Sequence, residues 1–166
     1  MNGNMQITKS SRHAKIVGDF GEQLVANWLS RSGWEVVLVD HTGIDLVAFD
    51  RRTNARIGIT VKSRTRLSGT ERVSVNVFHN RKGDRAKVAR ACVDFACEPW
   101  LAIYVEAGDS ADLFLTNLAH YDEAYRGATG RAVDCWKMAP NHRQAYLRDP
   151  EVRHLHLAIT PNNWTT

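Results

Sequence analysis

Three short stretches carry side chains that could do chemistry together: Gly21-Glu22, Gly43-Ile44-Asp45 and Thr60-Val61-Lys62. Two carboxylates and an ammonium set among apolar neighbours need a physical reason, because burying an unpaired charge is costly. Coordination of a divalent cation is such a reason. A hard cation held by one or two carboxylates neutralises a non-bridging phosphate oxygen, acidifies a water and stabilises a leaving oxygen. Phosphodiester hydrolysis needs all three. A lysine beside the cation orients the water or stabilises developing charge. The backbone carbonyl of Val61 becomes a further ligand if the strand end is splayed. Taken singly, each residue has an ordinary reading: Glu22 as a solvated helix residue, Asp45 as a turn cap, Lys62 as an exposed lysine.

The elements that must position these residues follow from periodicity. Residues 11–31 read as a helix, with Ile16, Phe20, Leu24 and Trp28 every four residues and Val25 and Leu29 widening the stripe. Ser10 or Ser11 can cap its start and Gly33 its end. Glu22 lies on the side of Val25, Ala26 and Leu29. Gly18 and Gly21 are unusual in a helix interior, each costing roughly 1 kcal/mol against alanine, and point either to irregular first turns or to a close backbone approach. Strands are expected at 34–40, 44–50 and 56–63. In the third, Ile57, Ile59 and Val61 share one face, and Gly58, Thr60 and Lys62 the other. A short strand at 73–78, a helix at 83–96, an apolar strand at 100–106 and a shorter one at 112–116 follow. A helical turn through Tyr125, an irregular stretch at 126–140, a helix at 140–148 and an edge strand at 154–159 complete the chain. The order α-β-β-β-α-β implies an α/β fold, a mixed central β-sheet flanked by helices.

The chain has 166 residues and 43% hydrophobic content, which suits one domain and argues against disorder. Its N-terminus is basic without an apolar segment, and no apolar run is long enough for a membrane helix. Three cysteines, Cys92, Cys97 and Cys135, are an odd number and suit a reducing, cytoplasmic setting. No second pair completes a zinc set with Cys92 and Cys97. The net charge of +4 conceals a division. Residues 51–90 hold twelve Lys/Arg against Glu71 and Asp84, and residues 91–125 hold seven Asp/Glu with no Lys or Arg. Arg64, Arg66, Arg72, Arg81, Lys82, Arg85 and Lys87 follow the third strand directly and would contact a phosphate backbone there. The alternative is a solvated basic face. His41 is a candidate proton carrier, and residues 79–82 could position a substrate. His154 and His156 share a strand face and read as a polar edge rather than a metal pair. Trp100, Trp136 and Trp164 read as packing residues.

The stretches Gly21-Glu22-x-x-Val25-Ala26-x-x-Leu29, Gly33-Trp34-Glu35-Val36-Val37, Gly43-Ile44-Asp45-Leu46-Val47-Ala48 and Ile59-Thr60-Val61-Lys62-Ser63-Arg64 resemble the core of the PD-(D/E)XK nuclease superfamily. Small Holliday-junction-resolvase-like members are the nearest in kind. The resemblance covers about residues 15–105. It implies a restriction-endonuclease-like core over about 11–106, a C-terminal extension over about 107–166, and a single nuclease-like domain across 1–166. It further implies a Mg²⁺- or Mn²⁺-dependent endonuclease acting on nucleic acid, with DNA favoured, and it admits a homodimer. Asp45 would be the main metal ligand, Glu22 the helix-borne carboxylate and Lys62 the lysine near the attacking water. One position departs from the pattern. Thr60 stands where the family has Asp or Glu, so the site loses a negative charge. Either Glu22 compensates, or Asp40 or Glu35 swings in, or the protein binds nucleic acid without cutting it.

Overall fold

The computed structural model describes residues 7–159, the side chain of Asp40 excepted. Asp40 as an alternative ligand, Trp164 as a packing residue and the first six residues of the polar N-terminal arm lie outside the described residues. The first helix, α1, spans His13–Arg31. Its start is closed by backbone, with the His13 N–H donating to the Ser10 carbonyl at 3.1 Å, rather than by a serine side chain. Its end is the double closure that glycine permits. Gly33 adopts φ +89°, its N–H donates to Ser30, and the Trp34 N–H reaches back to Leu29.

The buried line of α1 is Val17, Gly21, Val25 and Leu29. This corrects the expected stripe by about one residue: Ile16 is 57% and Phe20 49% exposed. Gly21 explains the rotation. A Cβ there would overlap the Ser63 hydroxyl and crowd Tyr104, so the helix sits on the sheet along its glycine. Gly18 meets nothing comparable.

Among the described residues, eight strands follow the helix in two sheets. The strands β1 (Glu35–His41), β2 (Ile44–Asp50) and β3 (Ala55–Arg66) form an antiparallel meander. A crossover through β4 (Val75–His79), a short 3₁₀ turn and α2 (Asp84–Asp94) then returns the chain to β5 (Glu98–Ala107), parallel to β3. Beyond it come β6 (Ser110–Asn117), α3 (Leu118–Ala124), β7 (Val133–Trp136), α4 (Pro140–Arg148) and β8 (Val152–Ala158). The main sheet has the order β1-β2-β3-β5-β6-β8, and β4 pairs with β7 in a second, two-stranded sheet. The strand β7 falls in the stretch expected to be irregular. The chain after Ala107 adds two strands to the main sheet rather than a separate body.

Each face of the sheet has its own core. On one side α1 covers Leu46, Ala48, Ile57, Ile59, Val61 and Tyr104. On the other, Val88 and Cys92 of α2, Tyr121 of α3, Trp136 of β7 and Tyr146 of α4 pack over Leu101, Ile103 and Phe114. Burial of each such side chain contributes roughly 1.5–3 kcal/mol. The alternation along β3 therefore turns Ile57, Ile59 and Val61 towards α1, and Thr60 and Lys62 towards α2.

Candidate active site

The ladder between β2 and β3 runs only as far as the Leu46–Ile59 pair among the described residues. Beyond it the Val61 N–H donates to Asp45 Oδ2 at 2.6 Å, a side-chain carboxylate taking the place of a strand neighbour. Meanwhile β3 stays paired with β5 as far as Arg66. The two strands thus part at Asp45, and α2 closes over the gap. Its approach is close enough that a Cβ on Gly43 would stand 2.5 Å from the Lys87 carbonyl, and Gly43 holds φ +118°. Glycine fits both demands.

The gap is a cleft of about 240 Å³. Asp45, Thr60 and Lys62 line it, as do Thr42, Gly43, Phe78, Asp84, Lys87 and Val88. Burial pushes the Asp45 carboxyl above its ordinary value, opposed by the Val61 amide, the Lys62 charge and the Thr60 hydroxyl. Asp84, in the first turn of α2, is a second carboxylate that sequence reasoning passed over as part of a basic stretch. The His79 N–H, donating to it at 2.9 Å, holds its carboxyl below the ordinary range despite partial burial, with Lys87 and then Lys62 adding to the effect. Lys87 Nζ lies 3.2 Å from Asp84 Oδ1.

Asp45, Thr60 and Asp84 offer oxygen donors only, the set a hard cation such as Mg²⁺ takes together with waters. A carboxylate has about four lone-pair sites, so the existing hydrogen bonds of Asp45 and Asp84 leave room for a cation. The desolvated Asp45 gains most from a positive charge beside it. The donor set therefore fits the group that the sequence resemblance implies.

Other expected site residues are not among those lining the cleft. Glu22 is half-buried on α1, the helix on the opposite face, and is not among the residues lining the cleft. His41, expected beside the site, turns its ring edge onto Phe95 at 5.3 Å between centroids. Arg85 corrects the expected basic surface. Its guanidinium grips Asp122 through two bonds of 2.9 and 2.6 Å and Asp134 at 2.6 Å, and lies over the Phe78 ring. Committed to those partners, it serves the α2–β7 packing. Arg66 likewise donates to the Ser74 carbonyl at 2.7 Å, and burial, then Arg64, pulls its pKa down. Arg64, Arg72, Arg81, Lys82 and Lys87 stay exposed.

No protein-family model matches the sequence, and no curated protein matches it. Among solved structures, the fold is similar to that of Hjc, a Holliday junction resolvase from the archaeal hyperthermophile Archaeoglobus fulgidus. Identity is 13% and the TM-score 0.52, over 77% of this chain and 93% of that one. A restriction endonuclease in complex with substrate DNA is similar at 13% identity and a TM-score of 0.45, over 95% of this chain and 76% of that one. The chain has a restriction-endonuclease-like fold, a mixed sheet flanked by helices.

Proposed function

We propose that this protein is a metal-dependent nuclease that hydrolyses phosphodiester bonds in DNA, acting as an endonuclease through the cleft between β2 and β3. The observation that carries the reading is the meeting of Asp45, Thr60, Lys62 and Asp84 where the two strands part. Asp45 would hold Mg²⁺ or Mn²⁺, with Thr60, Asp84, the Val61 carbonyl and Glu22 as the further candidate donors. When bound, the cation supplies charge against the phosphate oxygens and acidity to a water. Lys62 supplies a fixed positive charge at the same place, to orient the water and offset charge developing on the attacked phosphoryl group. The exposed Arg64, Arg72, Arg81, Lys82 and Lys87 would follow the phosphate backbone. Branched DNA is included among the substrates to test by analogy with the resolvase of similar fold, an analogy that leaves function to the site, and two copies of the chain would bring two clefts to such a junction.

Thr60 favours a second reading, in which the cleft binds nucleic acid without cutting it. Thr60 is 2% exposed and brings no charge where a further carboxylate would strengthen cation binding.

The test is cleavage of duplex, single-stranded and branched DNA and of RNA, with Mg²⁺ or Mn²⁺, by wild type and Lys62→Ala. Metal-dependent cutting that falls by about 10²-fold or more in the variant is expected. Binding that weakens with salt but never cuts would transfer the assignment to the second reading. Neither binding nor cutting would reject both. Light scattering with and without a branched DNA reports whether two copies assemble.

A further inference from the structure

The sheet carries a second group of metal-ligating side chains, away from the cleft and unrelated to it. Asp112 sits on β6, and the β6–β8 register sets it opposite His156, with His154 opposite Phe114. The two histidines therefore share the face of Asp112. His154 Nε2 lies 2.8 Å and His156 Nδ1 2.9 Å from the same oxygen, Asp112 Oδ1. The candidate ligand atoms all fall within 4.8 Å of one another. Arg143 of α4 grips the other oxygen, Asp112 Oδ2, and the His154 ring stacks on Phe114 at 4.9 Å between centroids. Asp112 is buried, and the His156 side chain is 55% exposed. The group is thus rooted in the fold on one side and open to solvent on the other.

We propose that Asp112, His154 and His156 form a binding site for a divalent transition-metal cation, Zn²⁺ in the first instance. Two imidazoles and one carboxylate are a donor set that zinc uses with a fourth, open position. Ligand atoms around tetrahedral zinc, bonded at about 2.0 Å, stand about 3.3 Å apart. The two separations between Asp112 Oδ1 and the imidazole nitrogens, 2.8 and 2.9 Å, need to open by about half an ångström to admit the ion. His154 would bind through Nε2 and carry its proton on Nδ1, and His156 the reverse, so both coordinate as neutral rings. Arg143 would keep the carboxylate turned to present Oδ1 alone, fixing the ligand from outside the site. The open position faces solvent at His156 and takes water. The ion would fasten the edge strand β8 to β6 and, through Arg143, to α4.

The chemistry separates this site from the cleft. Imidazole donors select Zn²⁺ or Co²⁺ over Mg²⁺, whereas the cleft offers oxygen alone. The site also lies two strands from β3, about 10 Å across the sheet at the usual strand spacing.

The experiment titrates tag-free, chelator-treated protein with Zn²⁺ against a chromophoric competitor, and with Co²⁺ followed by its visible absorption. Wild type, His156→Ala, His156→Gln and Asp45→Asn are compared, with thermal unfolding of each metal-free form as the folding control. The exposure of His156 makes its variants safe to fold. One equivalent of Zn²⁺ per chain, a low-coordinate Co²⁺ spectrum and a raised unfolding midpoint are expected in wild type and Asp45→Asn. All three are lost in both His156 variants. No stoichiometric binding by wild type, or binding unchanged in the His156 variants, overturns the site. Binding lost in Asp45→Asn but kept in the His156 variants overturns it too, and places the ion in the cleft.

Discussion

Thr60 decides how much negative charge the cleft holds. It faces α2 from β3, buried beside Asp45 and next but one to Lys62. Its hydroxyl bonds Asp45 and lowers that carboxyl's pKa, but a neutral donor cannot do what a second carboxylate does for a dication. Asp84 enters the same space from another element, which offers a physical route to the missing charge. Thr60→Glu is therefore expected to tighten Mn²⁺ binding by about tenfold, a change of ~1.4 kcal/mol. Cutting should rise with it. Calorimetric titration beside Asp84→Asn, which should weaken binding, checks the pair. A Thr60→Glu protein that binds Mn²⁺ no better would show that the charge of the cleft is already complete. Asp45, Thr60 and Lys62 were legible in the sequence because their strands are adjacent and alternate cleanly. Asp84 was not, because its place depends on where α2 docks.

At the scale of elements, the basic and acidic halves of the sequence meet in the interior. Arg85 of α2 joins Asp122 of α3 and Asp134 of β7, and Arg126 stands 3.3 Å from Asp134. Burial alone would push the Asp134 carboxyl up. Arg85, Asn80 and Arg126 more than offset that, and leave it below the ordinary range. A depressed folded-state pKa gives stability that is present above the unfolded value and lost as the pH falls through the folded one. Asp134→Asn should accordingly cost about 2 kcal/mol near neutrality, the scale of a charged hydrogen bond that is lost. The difference from wild type should shrink in acid below the ordinary carboxylate pKa of ~3.9. Urea titrations at both pH values test this, and a cost independent of pH would mean that the carboxylate charge is not what stabilises β7. The sequence put Arg85 among phosphate-binding residues because charge counts along a chain do not show which partners the fold supplies. It missed β7 because four residues, Val133–Trp136, are too few for a periodic signal and depend on pairing with β4.

At the scale of the whole molecule, the described residues build a six-stranded sheet with a core on each face and a two-stranded sheet beside it. The expected extension after residue 106 supplies β6 and β8, and with them Leu113, Phe114 and Leu115, each at most 1% exposed. Trp136 and Tyr146, also from beyond Ala107, pack at 4.1 Å between ring centroids in the core that covers β5. A chain ended at Ala107 would expose that core and leave β5 as a bare edge. It is expected to show no cooperative urea transition by far-UV circular dichroism, whereas the full chain unfolds in one step. A cooperative transition in the shortened chain would mean that residues 1–107 fold alone. Among the described residues, no helix is long and apolar enough to cross a membrane.

Local pattern was enough to determine the order of elements apart from β7, the mixed sheet with helices on both faces, and the facing of Thr60 and Lys62 away from α1. Those features follow from a period of two in strands, from apolar repeats in helices and from turn residues at Gly33 and Gly43. The tertiary structure decided what meets across distance. It turned α1 onto its Gly21 line, brought Asp84 into the cleft, took Arg85 out of the basic surface and set Asp112 beside a pair of histidines more than forty residues away. Each of these depends on the docking of separate elements, and a contact formed by docking leaves no periodicity in the sequence.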